Sequence, residues 1–219
     1  MFLEVNGIKL YYEKCGKGRP LLLLHGNGED HHIFDNTISY LQEHFTLYAV
    51  DTRGHGQSSS VSEFHYGDMA EDIYAFITYL ELQTPIVYGF SDGGILGLIL
   101  AIRHPQAISH LVISGANTRP DGIKPIWLQL FRILYTLNKS ALLKLMLTEP
   151  DITAAQLNSI TVPTFITAGS RDLIRPEHTD FIHHNIPHSR LKIFPHESHS
   201  SYIKKKNTLA DYLLKLFNT

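Results

Sequence analysis

The feature that most restricts the fold is an alternation along the chain. Short unbroken apolar runs of strand length take turns with segments whose apolar residues recur every three or four positions. The runs are Pro20 to Leu24, Phe45 to Val50, Pro85 to Phe90, His110 to Ser114, Val162 to Ala168 and Leu191 to Phe194. Being apolar throughout rather than at every second residue, they suit strands covered by helices on both faces, the condition of a parallel sheet. Between them, Met69, Ile73, Ile77 and Leu80 step at helical spacing, and Asn207 to Phe217 is amphipathic. Gly93 to Arg103 is apolar nearly all round and stops at His104-Pro105, so it reads as a buried helix ended by proline. Strand and helix in repetition predict right-handed βαβ crossovers in one doubly wound, mostly parallel sheet, an α/β fold.

Two stretches depart from this rhythm. Phe2 to Val5 and Ile8 to Tyr12 flank Asn6-Gly7, a dipeptide that tolerates positive φ, so the chain is expected to open with a β-hairpin, and Lys14-Cys15-Gly16-Lys17-Gly18 reads as a turn. Between Gly115 and Val162 the alternation pauses, and Ile126 to Leu137 and Ala141 to Leu147 have helical character. We expect a small helical cap inserted at roughly residues 119–160 into a single domain spanning 1–219. A chain of 219 residues that is 43% hydrophobic can bury one sizeable core, and no repeat or linker marks a second domain.

Charge narrows the partners. With 19 basic against 21 acidic side chains the net charge is -2, which carries no overall footprint for nucleic acid or anionic membrane, so neither is expected. The first residues lack the basic and apolar regions of a signal peptide, and polar residues interrupt every later apolar run, so a cytoplasmic protein is expected. Cys15 is the single cysteine, so no internal disulfide forms, and its turn-like setting does not suggest a nucleophile. The sequence has no H-E-x-x-H or cysteine-rich ligand spacing. No metal and no cofactor are expected, despite 14 histidines with pairs at His31-His32 and His183-His184.

Gly89-Phe90-Ser91-Asp92-Gly93-Gly94 joins an expected strand to an expected helix, the context in which G-x-S-x-G carries chemical meaning. Glycines on either side let strand and helix approach closely, lifting the Ser91 hydroxyl clear of the backbone at the helix N-terminus. On this motif and its context the chain resembles the α/β-hydrolase family over nearly its whole length. The resemblance implies that Ser91 is a nucleophile, and that an acid and a histidine follow it in chain order.

Further segments carry the resemblance. His25-Gly26-Asn27-Gly28 is similar to the family's H-G-x-G loop, implying that the backbone N–H groups of Asn27 and Asp92 form an oxyanion hole, with His25 a structural residue. Asp51-Thr52-Arg53-Gly54-His55-Gly56-Gln57-Ser58 looks like a loop-shaping segment without a catalytic role. Gly169-Ser170-Arg171-Asp172 to Pro176 resembles G-x-x-D-x-x-x-P and places Asp172 as the acid, with Asp180 as rival. His199, after the last strand, takes the place of the base, with His196 as rival, and Ser198 stands where the family usually has glycine.

The function implied is a serine esterase cleaving carboxylic esters of small molecules through an acyl-enzyme, a carboxylesterase. Gly89 to Gly94 and Ser114-Gly115-Ala116-Asn117 resemble valacyclovir-hydrolase-like esterases, which cleave esters of α-amino acids. A carboxylate beside the nucleophile would complement a substrate ammonium, or it would complement only the positive end of the following helix. Asp92, Trp127 and Phe131 are the candidate substrate-binding residues, the last two on an apolar cap helix that could line a pocket or serve packing. A lactone or carbon-carbon bond hydrolase on the same triad, and a ligand-binding sensor with weak turnover, remain as alternatives. The sequence is silent on oligomeric state and on the physiological substrate.

Overall fold

In the computed structural model, which describes residues 1–204 and 207–217, the apolar runs become strands of one sheet. The strands are β1 (Phe2–Val5), β2 (Ile8–Gly16), β3 (Arg19–Leu24), β4 (Phe45–Val50), β5 (Ile86–Phe90), β6 (His110–Ser114), β7 (Thr164–Arg171) and β8 (Arg190–Ser198). Among the described residues they lie in the order β1-β2-β4-β3-β5-β6-β7-β8. The pairs β1/β2 and β2/β4 are antiparallel, and the rest of the sheet is parallel.

The opening hairpin forms as expected, but β2 corrects the reading of residues 14–18 as a turn. It continues to Gly16, pairing Tyr12 with Val50 through Gly16 with Thr46, and the turn shrinks to residues 17 and 18. Ladder bonds to a strand far away in sequence outweigh the local turn composition.

The helices are α1 (Asp35–Leu41), α2 (Tyr66–Tyr79), α3 (Asp92–Arg103), α4 (Pro125–Asn138), α5 (Ala141–Thr148), α6 (Ala154–Asn158), α7 (Pro176–Asn185), α8 (Ser201–Lys204) and α9 (Thr208–Phe217). Strand residues feed the two faces alternately. Leu22 and Leu24 join a core with Met69, Ile73 and Phe76 of α2, Leu96 and Leu100 of α3 and Ile182 of α7. Leu21 and Leu23 join the opposite core with Leu41 of α1, Tyr202 of α8 and Leu209 and Leu213 of α9. Each such leucine contributes about 1.5–3 kcal/mol of burial, and two-sided coverage is why the runs are apolar without alternation.

The stretch between β6 and β7 holds α4, α5 and α6. A small cluster of Ile123, Leu128 and Ile174, with Phe131 and Met146 packed on it, ties α4 and α5 to the loops beyond β6 and β7. Among the described residues no helix is long and apolar enough to cross a membrane.

Candidate active site

Ser91 sits between β5 and α3 with φ 52° and ψ −113°, a left-handed conformation for a residue with a Cβ. The neighbouring glycines make this possible. A Cβ on Gly89 would strike the Gly93 carbonyl, and one on Gly93 would strike the Leu24 carbonyl of β3. Held this way, the serine stands at the start of α3 beyond the C-terminal edge of the sheet. Strain of roughly 1–3 kcal/mol at such a residue persists only where its surroundings over-determine it.

The sheet delivers two further groups to the same edge. Asp172 lies just past β7 and His199 just past β8, and His199 Nδ1 is 2.6 Å from Asp172 Oδ1, a hydrogen bond that the imidazole N–H donates. The N–H groups of Gly169 and Ile174 also donate to the Asp172 carboxylate. Burial pushes the Asp172 carboxyl up, but the hydrogen bond and charge of His199, with those two N–H groups, outweigh it and hold its pKa below the usual range. The Asp172 carboxylate is therefore a fixed anion behind the imidazole. Phe90 flanks the His199 ring at a centroid distance of 4.8 Å.

The loop after β3 is held by two histidines. His25 Nδ1–H donates to the Gly26 carbonyl at 2.8 Å and its Nε2 accepts the Thr52 N–H at 3.0 Å. Burial lowers its pKa to about 4, so the ring is neutral and structural. His55 Nε2 accepts the Gly28 N–H at 3.2 Å, and the Glu29 N–H reaches the Gly26 carbonyl. The Gly93 N–H takes the His25 carbonyl, and those of Gly94 and Ile95 return to Ser91. None of these bonds engages the backbone N–H of Asn27 or of Asp92, the two expected to face an oxyanion.

Beside them the Asp92 carboxylate is buried. Asn27 Nδ2–H donates to Asp92 Oδ2 at 2.9 Å, and the Tyr66 hydroxyl bonds the same group. Burial raises the Asp92 pKa against the pull of these two donors. Neither side-chain contact is foreseeable from sequence, since Asn27 lies in the loop after β3 and Tyr66 at the start of α2, both far from Asp92 along the chain.

A cavity of about 260 Å³ opens over these groups. Ser91, Asp92, Asn27 and His199 line its floor, and Phe131 of α4 with Leu143 and Met146 of α5 form an apolar wall. Asn117, Tyr66 and Glu29 also reach it, and sequence reasoning gave none of these three a binding role. Trp127, expected beside Phe131, is not brought there. It lies on the outer side of α4 with Ile126, Leu130 and Ile133, because a helix apolar all round gives periodicity no means to select its inner face. The rivals Asp180 and His196 are exposed and do not line the cavity.

Asp30, His31 and His32 offer ligand atoms within 4.8 Å of one another. None lines the cavity. His31 is committed to Asp51 at 2.8 Å and Asp30 caps the His32 N–H at 2.9 Å, which accounts for the cluster as the start of a short 3₁₀ turn.

Comparisons with known proteins add to this geometry. The profile of the alpha/beta hydrolase fold matches residues 19–137. The serine hydrolase BPHL of Homo sapiens is 30% identical over 250 residues, taking in 97% of this chain and 85% of BPHL. The AB hydrolase superfamily protein YisY of Bacillus subtilis is 26% identical, over 97% of this chain and 96% of its own. Among solved structures, the enol-lactonase from Burkholderia xenovorans superposes with a TM-score of 0.84 at 18% identity, covering 100% of both chains. That last likeness is one of fold.

Proposed function

Because the chain belongs to the α/β-hydrolase fold family, we propose that it is a serine esterase acting on small-molecule carboxylic esters, with Ser91, His199 and Asp172 as its triad. The observation that carries this reading is that His199, held by the buried Asp172 at 2.6 Å, lines one cavity with a serine at φ 52°. The human relative's name, serine hydrolase, supports it.

The reaction follows from the positions. Ser91 Oγ attacks the ester carbonyl carbon as His199 takes the hydroxyl proton, and the anion of Asp172 steadies the imidazolium. The charge gathering on the carbonyl oxygen meets the N–H groups of Asn27 and Asp92, each worth about 100- to 1,000-fold in rate. As the tetrahedral species collapses, the carbon–oxygen bond to the alcohol breaks and the alcohol leaves with the proton from His199. Water then attacks the acyl-enzyme by the same route, releasing the acid and restoring Ser91. The helical insertion acts as a cap, its Phe131, Leu143 and Met146 taking an apolar portion of the substrate.

Asp92 gives the site a preference within that class. A carboxylate buried next to the oxyanion donors is costly as an anion, and a substrate ammonium within the cavity would offset that cost. Esters of amino acids with a free amine are the proposed preferred substrates.

A turnover assay over p-nitrophenyl esters, lactones and aminoacyl esters tests both levels. Ser91→Ala is expected to lose about 10,000-fold or more in kcat, and activity surviving it would overturn the mechanism. Wild type is expected to favour a free-amine aminoacyl ester over its N-acetylated form by about 10-fold or more, with Asp92→Asn bringing the ratio towards one. An equal ratio in both enzymes would remove the ammonium preference and leave the esterase intact.

A further inference from the structure

Helix α4 is apolar on two opposite faces. Leu128 is buried and Phe131 and Tyr135 are half-buried on its inner side, whereas Ile126, Trp127, Leu130, Ile133, Leu134 and Leu137 form an outer stripe between 38% and 77% exposed. A helix packed on a globular body requires one apolar stripe. The second is work for a partner, since contiguous exposed apolar patches mark interaction surfaces.

The charges of the segment that carries the stripe select that partner. Between Asp121 and Glu149 the chain has no acidic residue, and Lys124, Arg132, Lys139 and Lys144 are all basic. The Lys124 ammonium is spent on the Asp172 carbonyl, while Arg132, Lys139 and Lys144 are exposed. A net charge of -2 over the whole chain conceals this local excess. A second copy meeting the stripe about a two-fold axis would set these cations against their own kind. An anionic surface would be drawn to them. An apolar stripe on a helix about 20 Å long, in a segment whose charged side chains are all basic, is suited to lying in the boundary between lipid headgroups and acyl chains.

We propose that the outer face of α4 docks this protein onto anionic lipid membranes. The stripe from Ile126 to Leu137 enters the headgroup layer, and Arg132, Lys139 and Lys144 meet the phosphates. Since the inner face of the same helix walls the cavity through Phe131, docking sets that cavity against the layer into which apolar esters partition. The proposal is independent of the bond cleaved at Ser91.

Trp127, the single tryptophan of the chain, reports on the contact. Vesicles of phosphatidylcholine alone and of phosphatidylcholine with phosphatidylglycerol are to be titrated into the protein, following Trp127 emission and co-flotation. A blue shift and flotation are expected with the anionic vesicles only. The triple variant Arg132→Gln/Lys139→Gln/Lys144→Gln should bind about 100-fold more weakly, at about fivefold per cation. Its circular dichroism and Tm should stay unchanged, and Leu130→Gln/Ile133→Gln should also weaken flotation. No binding, equal binding to neutral vesicles, or undiminished binding by the triple variant would overturn the proposal. So would a concentration-dependent dimer that shifts Trp127 emission without lipid.

Discussion

His25 shows how a single side chain couples the loop after β3 to the stability of the molecule. An unfolded histidine titrates near 6.5, whereas burial holds native His25 at about 4. Protonating the native ring would force a charge into the core and turn the acceptor of the Thr52 N–H into a donor. Between those two values the unfolded chain binds a proton that the native state refuses. The stabilisation is therefore fully present above pH 6.5 and is lost as the pH falls towards 4, below which both states are protonated and the loss levels off. Its size is about 3 kcal/mol. Burial lowers the pKa of His178 too, adding to the same trend. Urea unfolding between pH 8 and 4 should show stability falling through this window, with a shallower fall in His25→Asn. The same slope in both proteins would remove His25 from the account.

The strand-to-helix turn at Ser91 is a property of two elements brought together, and the glycines between them set its tolerance. A Cβ on Gly93 would meet the backbone carbonyls of Leu24 and His25, so β3 and α3 must part to admit it. Gly93→Ala should cost about 1–3 kcal/mol and also reduce turnover, since Asn27 and Ser91 would move apart. A Cβ on Gly67 of α2 would meet only the end of the Arg103 side chain, so Gly67→Ala should be neutral or stabilise by up to about 1 kcal/mol. Equal Tm changes in the two variants would contradict the close approach. The same elements explain what could be read in advance. Buried parallel strands need apolar residues at every position, which is why β4 and β6 stand where their apolar runs lie and why Ser91, Asp172 and His199 could be placed at strand ends. The strand β8 runs past Pro195 to Ser198, beyond its apolar run, because at the sheet's edge a proline interrupts no neighbouring ladder. Helix α1 carries no apolar periodicity that would announce it, since only Thr37 and Leu41 of it are buried. The bonds from Asn27 and Tyr66 to Asp92 had no local signal at all.

At the scale of the whole molecule, stability is divided unevenly between the sheet with its two helical layers and the helical insertion. The cores on either face of the sheet are large and built from side chains with little or no exposure, such as Leu22, Leu96, Leu100, Leu209 and Leu213. The cluster beneath α4 consists of Ile123, Leu128 and Ile174, with only Leu128 coming from α4 itself. Helix α5 contributes Leu145 to the larger core, and most of the remaining surface of both helices faces solvent or the cavity. Opening α4 therefore exposes little apolar surface that is not exposed already, while opening α3 exposes a helix buried on nearly every side. Local opening free energies follow the buried apolar contacts of each unit. Native-state hydrogen exchange should find amides of α4 opening at least about 2 kcal/mol more easily than those of α3 and β5, a protection roughly 30-fold lower. Protection in α4 equal to that in α3 would mean that the insertion opens only with global unfolding, and the division drawn from the size of these clusters would fail.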